Sequence, residues 1–168
     1  MSHRFAIEAL SRDHDRAAFV CGNERIDSYF RTAVSQDVKR HYATCFVARD
    51  LSTGRVAGFY TLSSSHVPLI DIPEQLAAKL PRYPTVPAVL IGWLARHSDF
   101  AGLGLGEALL FDAIKTVASA PIGAHAIFAD AIDAPALAFY EAYGFTALKD
   151  QPRRLYLPVA TALSALKP

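Results

Sequence analysis

The chain has 168 residues, 52% of them hydrophobic, which is enough apolar surface to build a single packed domain over residues 1–168. With 17 basic and 16 acidic side chains the net charge is +1, so total charge argues neither for nor against a polyanionic partner. The charges at Arg4 and Glu8 argue against a signal peptide, and the lack of any run of about 18 apolar residues argues against a membrane span. A soluble, cytoplasmic protein is therefore expected.

The first part of the chain predicts a strand, a helix and a β-hairpin. Residues 5–10 favour a strand, and Asn23 is placed to cap one continuous helix that runs to about His41. Residues 44–49 and 55–63 are rich in β-formers and flank a turn at residues 50–54. Cys21 and Cys45 lie in different segments without the spacing of metal ligands, which favours reduced core residues over a disulfide or a metal site.

Prolines mark the middle of the chain. Five of the ten fall within residues 64–87, which predicts a surface insertion with one short helix beginning near Pro73. The apolar run at residues 88–95 that follows predicts a central strand buried on both faces.

Three glycines, Gly102, Gly104 and Gly106, then open an amphipathic helix that extends to about residue 120. Downstream we expect a strand at 126–129, a helix at 135–143 stopped by Gly144, and strands at 145–148 and 154–159 around a polar turn at 149–153. No role is assigned to the C-terminal tail. This order predicts an α/β fold whose mostly antiparallel sheet contains a central parallel βαβ unit, with helices on both faces.

The glycine loop leaves backbone N–H groups uncovered at the positive end of a helix, as a phosphate-binding loop does, although tight strand-to-helix connections use the same residues. A P-loop requires Lys and then Ser or Thr after the last glycine, where this chain has Glu107 and Ala108. A dinucleotide-binding loop requires G-x-G-x-x-G directly after the strand, but here six residues intervene and the spacing is G-x-G-x-G.

The loop lies between Ile91-Gly92-Trp93-Leu94-Ala95 and Ala138-Phe139-Tyr140-Glu141-Ala142-Tyr143-Gly144-Phe145. With these two segments the chain resembles the GNAT acetyltransferase superfamily, whose loop reads Gln/Arg-x-x-Gly-x-Gly/Ala and whose last motif commonly reads Phe-Tyr-x-x-x-Gly-Phe. Ala101 stands where the family pattern has Gln or Arg.

The flanking segments 19–30, 36–40 and 154–158 narrow the resemblance to the GNAT toxins of type II toxin–antitoxin pairs. The resemblance implies an enzyme that acetylates the amino group of aminoacyl-tRNA and blocks translation, is a homodimer, and is neutralised by a small ribbon-helix-helix-type antitoxin. Trp93 departs from these toxins, which often carry Arg there. The alternatives are a GNAT enzyme for a small-molecule or protein amine and a non-catalytic CoA-binding module.

The resemblance also implies site residues for acetyl-CoA. Tyr140 is the expected acid for the departing CoA thiolate, because a free thiol has a pKa near ~8.5, while Phe139 is expected in the core. The cofactor is expected along the main chain of the strand and on the loop, at Leu94, Ala95, Arg96, Ala101, Gly102, Leu103, Gly104, Leu105 and Gly106.

An α-amino acceptor has a pKa near ~7.7, against ~10.4 for lysine, so a strong general base is not required. For the three candidate bases, His66, His97 and His125, a surface or structural role is favoured. Expected tRNA contacts are Lys39, Arg40, Arg96 and Arg154, with Arg25 and Arg31 extending the patch. The alternative is that these are solvated charges balanced by Glu24, Asp27 and Asp37.

Overall fold

A computed structural model describes residues 4–166. Its strands are β1 Phe5–Ala9, β2 Thr44–Asp50, β3 Val56–Pro68, β4 Thr85–Arg96, β5 Ala126–Asp130, β6 Thr146–Leu148 and β7 Gln151–Pro158. Its helices are α1 Glu24–Thr32, α2 Val34–Lys39, α3 Glu74–Ala77, α4 Leu105–Ser119, α5 Ala134–Ala142 and α6 Val159–Leu166, and single 3₁₀ turns form at Leu69–Asp71 and Ser98–Phe100.

The strands form one seven-stranded sheet in the order β1-β2-β3-β4-β5-β7-β6. β4 and β5 are parallel, with Ala88 opposite Ala126 and Ile91 opposite Ala129, and α4 connects them along the chain. The pairs β1–β2, β2–β3, β5–β7 and β6–β7 are antiparallel. This topology confirms the predicted mixed sheet with a parallel βαβ unit.

The described residues group into two compact units. The first comprises the residues up to Ser63 together with Gly92–Ala113. Its core centres on three buried rings: Phe30 stacks on Phe59 at 4.1 Å between centroids and meets the edge of Phe19 at 4.8 Å. Aromatic pairs of this kind add to the stabilisation from apolar burial, so they hold α1 against the sheet.

The second unit comprises Ser64–Ile91 and the residues from Ile114 onward. Its core brings the proline-rich segment together with β4, β5 and β7, and Ile72 and Tyr156 are almost completely buried there. The other buried members are Val67, Ala77, Val86, Ala88, Ala126, Phe128 and Leu148.

The helix expected to run from Asn23 to about His41 is two helices, so that prediction was wrong. Asn23 caps α1 as expected, with its side chain accepting from the amides of Arg25 and Ile26. At the other end, the guanidinium of Arg16 donates to the carbonyls of residues 30 and 31 at 2.7 and 3.3 Å. Because these carbonyls would otherwise accept from the next helical turn, Arg16 favours the observed break at Ala33.

The proline-rich insertion is shorter than predicted, because β3 continues to Pro68 and β4 begins at Thr85. Pro87 is tolerated within β4, since its carbonyl still accepts from the amide of His125 at 2.9 Å. The short helix after Pro73 is confirmed as α3. Burial of β4 on both faces was wrong: Gly92 is exposed, and Trp93 and Leu94 are only partly buried.

The C-terminal segment also differs from expectation. The polar turn is confined to residues 149 and 150, where Asp150 has a positive φ of 57°, so β7 begins at Gln151 instead of residue 154. The tail without an assigned role forms α6, with Ala162 buried and the amide of Val159 donating to the carbonyl of His125. Alanine and leucine, which dominate this segment, are strong helix formers.

Candidate active site

The glycine loop connects the 3₁₀ turn at Ser98–Phe100 to the first residue of α4, Leu105. Gly102 and Gly104 have positive φ angles of 78° and 71°, which other residues adopt only with strain. An added Cβ at either glycine would meet no protein atom within 4 Å, so both lie beside open space. Residues 101–104 are exposed, whereas the Leu105 side chain is buried in the core and anchors the loop.

The amides of Gly102, Gly104, Leu105 and Gly106 donate to no acceptor within residues 4–166. They lie at the N-terminus of α4, a 15-residue helix whose dipole places partial positive charge at this end. Uncovered donors and helix dipole together fit an anionic diphosphate group such as that of CoA. Such a contact uses main-chain donors and requires no side chain at residue 101, where this chain has Ala101.

The end of β4 supplies a second set of main-chain groups. The amides of Trp93 and His97 donate to Thr61 Oγ1 and the Ala57 carbonyl on β3, at 3.1 and 2.8 Å. Because main-chain groups alternate in direction along a strand, those of residues 94 and 96 point to the opposite edge. The ladder with β5 ends at Ile91, so this edge has donors and acceptors for an extended ligand.

Gly58 on β3 allows β4 to approach closely, a role that we did not identify from the sequence. A Cβ at Gly58 would lie 2.9 Å from the carbonyl oxygen of Ala95 and 2.9 Å from a methyl of Leu109. The absence of a side chain at Gly58 therefore lets the end of β4 and the first turns of α4 pack close to β3. A glycine within a predicted strand was the available signal.

Tyr140 lies in the second unit, on α5. Asp133 caps this helix by accepting from the amide of Ala136, and Gly144 ends it with φ of 93°. Tyr140 is 7% exposed, and its ring packs on Phe145 with the centroids 5.1 Å apart. Phe139 is only partly buried, so the expectation that Phe139 is the core member of the pair was wrong.

The hydroxyl of Tyr140 has no hydrogen-bond partner within residues 4–166. All fully buried side-chain N and O atoms in this part of the chain have partners, so the hydroxyl reaches solvent although its ring is buried. Burial, and secondarily the carboxylate of Asp130, raises the pKa of Tyr140 above its ordinary value. The phenol therefore keeps its proton at neutral pH and has no protein acceptor competing for it.

Other candidate acids, bases and nucleophiles fit less well. His97 is buried, accepts from the amide of Asp99 at 3.0 Å and meets the rings of Phe19 and Phe100, which confirms its structural role. Both cysteines are free thiols, and burial raises the pKa of Cys45 to about 12. Burial, with a hydrogen bond to Asp27, raises the pKa of Cys21 to about 11, so neither thiol is ionised at neutral pH.

The basic residues expected to contact tRNA differ in their exposure and in whether a carboxylate already pairs with them. Lys39 and Arg40 are exposed at the end of α2, and Arg96 is partly buried on β4. Arg154 makes a bidentate ion pair with Asp130, through Nε at 2.7 Å and Nη2 at 2.9 Å. Its guanidinium carbon lies 5.3 Å from the centroid of the Phe128 ring.

Three members of the charged set make hydrogen bonds within the fold. Arg31 donates through Nε and Nη2 to the carbonyl of Phe19 at 3.0 and 2.6 Å. Asp27 is 2% exposed, accepts from the amide of Cys21 at 2.8 Å and lies 3.9 Å from Nη2 of Arg31, so it balances the charge of Arg31 from a buried position. Asp37 likewise accepts from the hydroxyl of Tyr29 at 2.8 Å.

Residues 7–145 match the Acetyltransferase (GNAT) family. The chain belongs to this family. A GNAT enzyme transfers an acetyl group, and the glycine loop, the free edge of β4 and the phenol on α5 all lie within the matched residues.

Two relatives resemble this GNAT chain over nearly its whole length. It is 34% identical over 160 residues to a tRNA-acetylating toxin of Mycobacterium tuberculosis (strain ATCC 25618 / H37Rv), covering 94% of this chain and 93% of the relative. It is 30% identical over 162 residues to "Probable toxin TacT" of Sinorhizobium fredii (strain NBRC 101917 / NGR234), covering 91% and 90%.

Solved GNAT structures agree closely with this fold. AtaT in complex with acetyl-methionyl-tRNAfMet superposes with a TM-score of 0.87 at 26% identity, covering 97% of this chain and 99% of AtaT. A structure of AtaTR bound with AcCoA superposes with a TM-score of 0.83 at 25% identity, covering 98% and 99%. Within residues 4–166, no helix is both long enough and apolar enough to cross a bilayer.

Proposed function

We propose that this chain is the toxin of a type II toxin–antitoxin pair, an acetyl-CoA-dependent N-acetyltransferase that acetylates the amino group of aminoacyl-tRNA and so blocks translation. The observation that carries the proposal is the match to two toxins, at 30% and 34% identity, over more than nine-tenths of this chain. The match covers both the glycine loop and α5, so it includes the residues to which the chemistry is assigned.

Acetyl-CoA supplies the acetyl group as a thioester. In the proposal, main-chain groups of Leu94, Ala95 and Arg96 bind its pantetheine arm as an added strand would, and residues 101–106 bind its diphosphate. The support is physical: β4 continues past its last pair with β5, and the amides of Gly102, Gly104, Leu105 and Gly106 have no acceptor within the described chain. Both sets of contacts use the main chain, so they depend on backbone conformation.

Tyr140 is the proposed acid that protonates the departing thiolate. Its raised pKa keeps the phenol protonated at neutral pH, and its hydroxyl has no competing partner within residues 4–166. An α-amino acceptor with a pKa near ~7.7 is partly neutral at pH 7 and attacks without a strong base. This chemistry suits an aminoacyl group better than a lysine side chain.

Lys39, Arg40 and Arg96 are the proposed contacts to the tRNA backbone, because Lys and Arg side chains neutralise phosphates directly. Arg154 is a further proposed contact, but Asp130 already engages its Nε and Nη2. Only its remaining N–H groups face an RNA phosphate, and the carboxylate cancels much of its charge. We therefore expect Arg154 to contribute less than Lys39 or Arg40.

We further propose that residues 1–168 act as one cytoplasmic GNAT domain, that the enzyme is a homodimer, and that a small ribbon-helix-helix-type antitoxin neutralises it. The family match at 7–145 includes segments of both compact units, which supports a single functional domain. Co-expression with a small ribbon-helix-helix-type protein, if a neighbouring reading frame encodes one, should restore growth to cells that express this chain.

The deciding experiment compares acceptors with radiolabelled acetyl-CoA. Purified protein is incubated with a pool of charged tRNA, the same pool after deacylation, a polyamine mixture and lysine-containing peptides. We expect label only on charged tRNA, and its release as an N-acetylated amino acid after mild alkaline hydrolysis. Transfer to polyamines or peptides but not to charged tRNA would show a GNAT enzyme with another acceptor, and no transfer despite CoA binding would show a non-catalytic module.

A further inference from the structure

Trp93, the single tryptophan of the chain, lies on β4 in a stacked aromatic pair. Its ring is 4.3 Å from that of Tyr29 between centroids, with 12° between the ring planes. The two rings are therefore nearly parallel. Both residues are only partly buried, unlike the rings of Phe19, Phe30 and Phe59, so this pair is not part of the central core.

Contacts on both sides hold the pair in place. The hydroxyl of Tyr29 donates to Asp37 at 2.8 Å, and the amide of Trp93 donates to the hydroxyl of Thr61 at 3.1 Å. The preceding residue is Gly92, where a Cβ would lie 2.9 Å from the same Thr61 oxygen. The rings are thus oriented before any ligand binds, which lowers the entropic cost of stacking a further ring on them.

A cation lies next to the pair. The guanidinium carbon of Arg25 is 5.9 Å from the centroid of the Trp93 ring. Arg25 is exposed, and no carboxylate within residues 4–166 forms an ion pair with it. The charge of Arg25 is available to a phosphate, and its planar guanidinium lies next to the aromatic face of Trp93.

We propose that Trp93, supported by Tyr29 and flanked by Arg25, stacks on an unpaired nucleobase at the end of the acceptor RNA. An oriented aromatic face beside an unpaired guanidinium is the combination that binds single-stranded nucleic acid, because every base has a π-face and every nucleotide a phosphate. This inference rests on the proposed function and identifies residues that select an RNA-linked amine.

The fluorescence of Trp93 tests the stacking directly, since no other tryptophan contributes to the signal. The protein is titrated with a single-stranded RNA hexamer ending in the tRNA 3′ sequence CCA, and separately with a ribose-phosphate hexamer that lacks bases. We expect the RNA to quench the fluorescence and the abasic oligomer, which carries the same phosphates, to leave it nearly unchanged. Equal quenching by both probes, or by neither, would overturn the proposal.

Kinetics provide a second test. Trp93→Leu keeps apolar bulk but removes the planar surface, and it should raise KM for charged tRNA by about 5- to 150-fold, the usual range for one base–aromatic stack. Its KM for acetyl-CoA should match that of the wild type. Trp93→Phe should be intermediate. Tyr29→Phe keeps the stacked ring but loses the hydrogen bond to Asp37 that orients it, so it should raise KM for charged tRNA by less than Trp93→Leu does.

Thermal melting of each variant separates a folding defect from a binding defect. A folded Trp93→Leu protein with an unaltered KM for charged tRNA would overturn the inference while leaving the proposed function intact. If the wild type acetylates no charged tRNA, the proposed function fails, and the hexamer titration still decides whether Trp93 stacks on a base.

Discussion

The substitution Tyr140→Phe separates proton donation by Tyr140 from its packing. Tyr140 is 7% exposed and its ring lies against Phe145, with centroids 5.1 Å apart, and Phe preserves both the burial and this contact. The lost hydroxyl has no hydrogen-bond partner within residues 4–166, so its removal leaves no buried group unpaired. We therefore expect the free energy of unfolding to change by no more than about 0.5 kcal/mol.

The effect on catalysis should be much larger. Loss of a positioned general acid lowers kcat by about 10²- to 10⁴-fold, equivalent to roughly 3–5 kcal/mol in the barrier. Acetyl-CoA binding should be unaffected, because the proposed contacts to the cofactor are main-chain groups of the first unit. Calorimetric titration with CoA, together with initial rates on charged tRNA, measures both quantities on one preparation.

Tyr143→Phe is the matched control, because it removes a phenol immediately after the same helix. This variant should retain the kcat of the wild type. Burial and Asp130 raise the pKa of Tyr140, so the wild-type rate should also show no fall between about pH 7 and pH 9 from ionisation of Tyr140. A Tyr140→Phe enzyme with unchanged kcat, or a Tyr143→Phe enzyme with an equal loss, would refute the assignment.

Three further predictions concern backbone conformation and charge. Gly104→Ala should weaken CoA binding by about tenfold or more, while the left-handed conformation costs the fold only about 1–2 kcal/mol; equal affinity in calorimetry would argue against the loop as the diphosphate site. Gly58→Ala should lower the free energy of unfolding, measured in urea, by about 1–3 kcal/mol, because the new Cβ would lie 2.9 Å from a backbone oxygen of β4. Gly123→Ala is the control and should be neutral, because a Cβ at Gly123 would meet nothing within 4 Å. Hydrogen bonds from Thr53 and then Arg4 lower the pKa of Asp50. Its carboxylate therefore stabilises the fold at pH values above the unfolded-state pKa near ~3.9, and this stabilisation is lost as the pH falls through the lower folded-state pKa. The stability difference between wild type and Asp50→Asn should shrink from pH 6 towards acid, and a constant difference would contradict this.

Local signals identified most of the secondary structure. The Asn23 cap, the stop at Gly144 and the proline-led start of α3 depend on residues within one turn of each other, and all three were predicted from the sequence. The glycine loop could also be predicted from the sequence, because glycine is the residue that adopts a positive φ without strain, as Gly102 and Gly104 do. The family motif around Tyr140 is likewise contiguous.

The errors occurred where the deciding contact is distant in sequence. The break at Ala33 follows from Arg16, whose guanidinium donates to the carbonyls of residues 30 and 31, 14 and 15 residues further along the chain. The burial of Tyr140 relative to Phe139 depends on what packs against each side of α5, and adjacency on a helix indicates only that the two rings face different ways.

The sequence by itself thus determined the family, most of the order of elements and the positions of the glycine loop and the candidate acid, because these depend on short motifs and local backbone preferences. Only the tertiary structure decided which charges are free. Arg31 is held by the carbonyl of Phe19 and Arg154 by Asp130, 12 and 24 residues away, whereas Arg25 lies beside Trp93 and forms no ion pair with any carboxylate in the described part of the chain. A charged side chain binds whatever oxygen the fold brings within hydrogen-bond distance, and that distance is set by packing rather than by its neighbours in the chain.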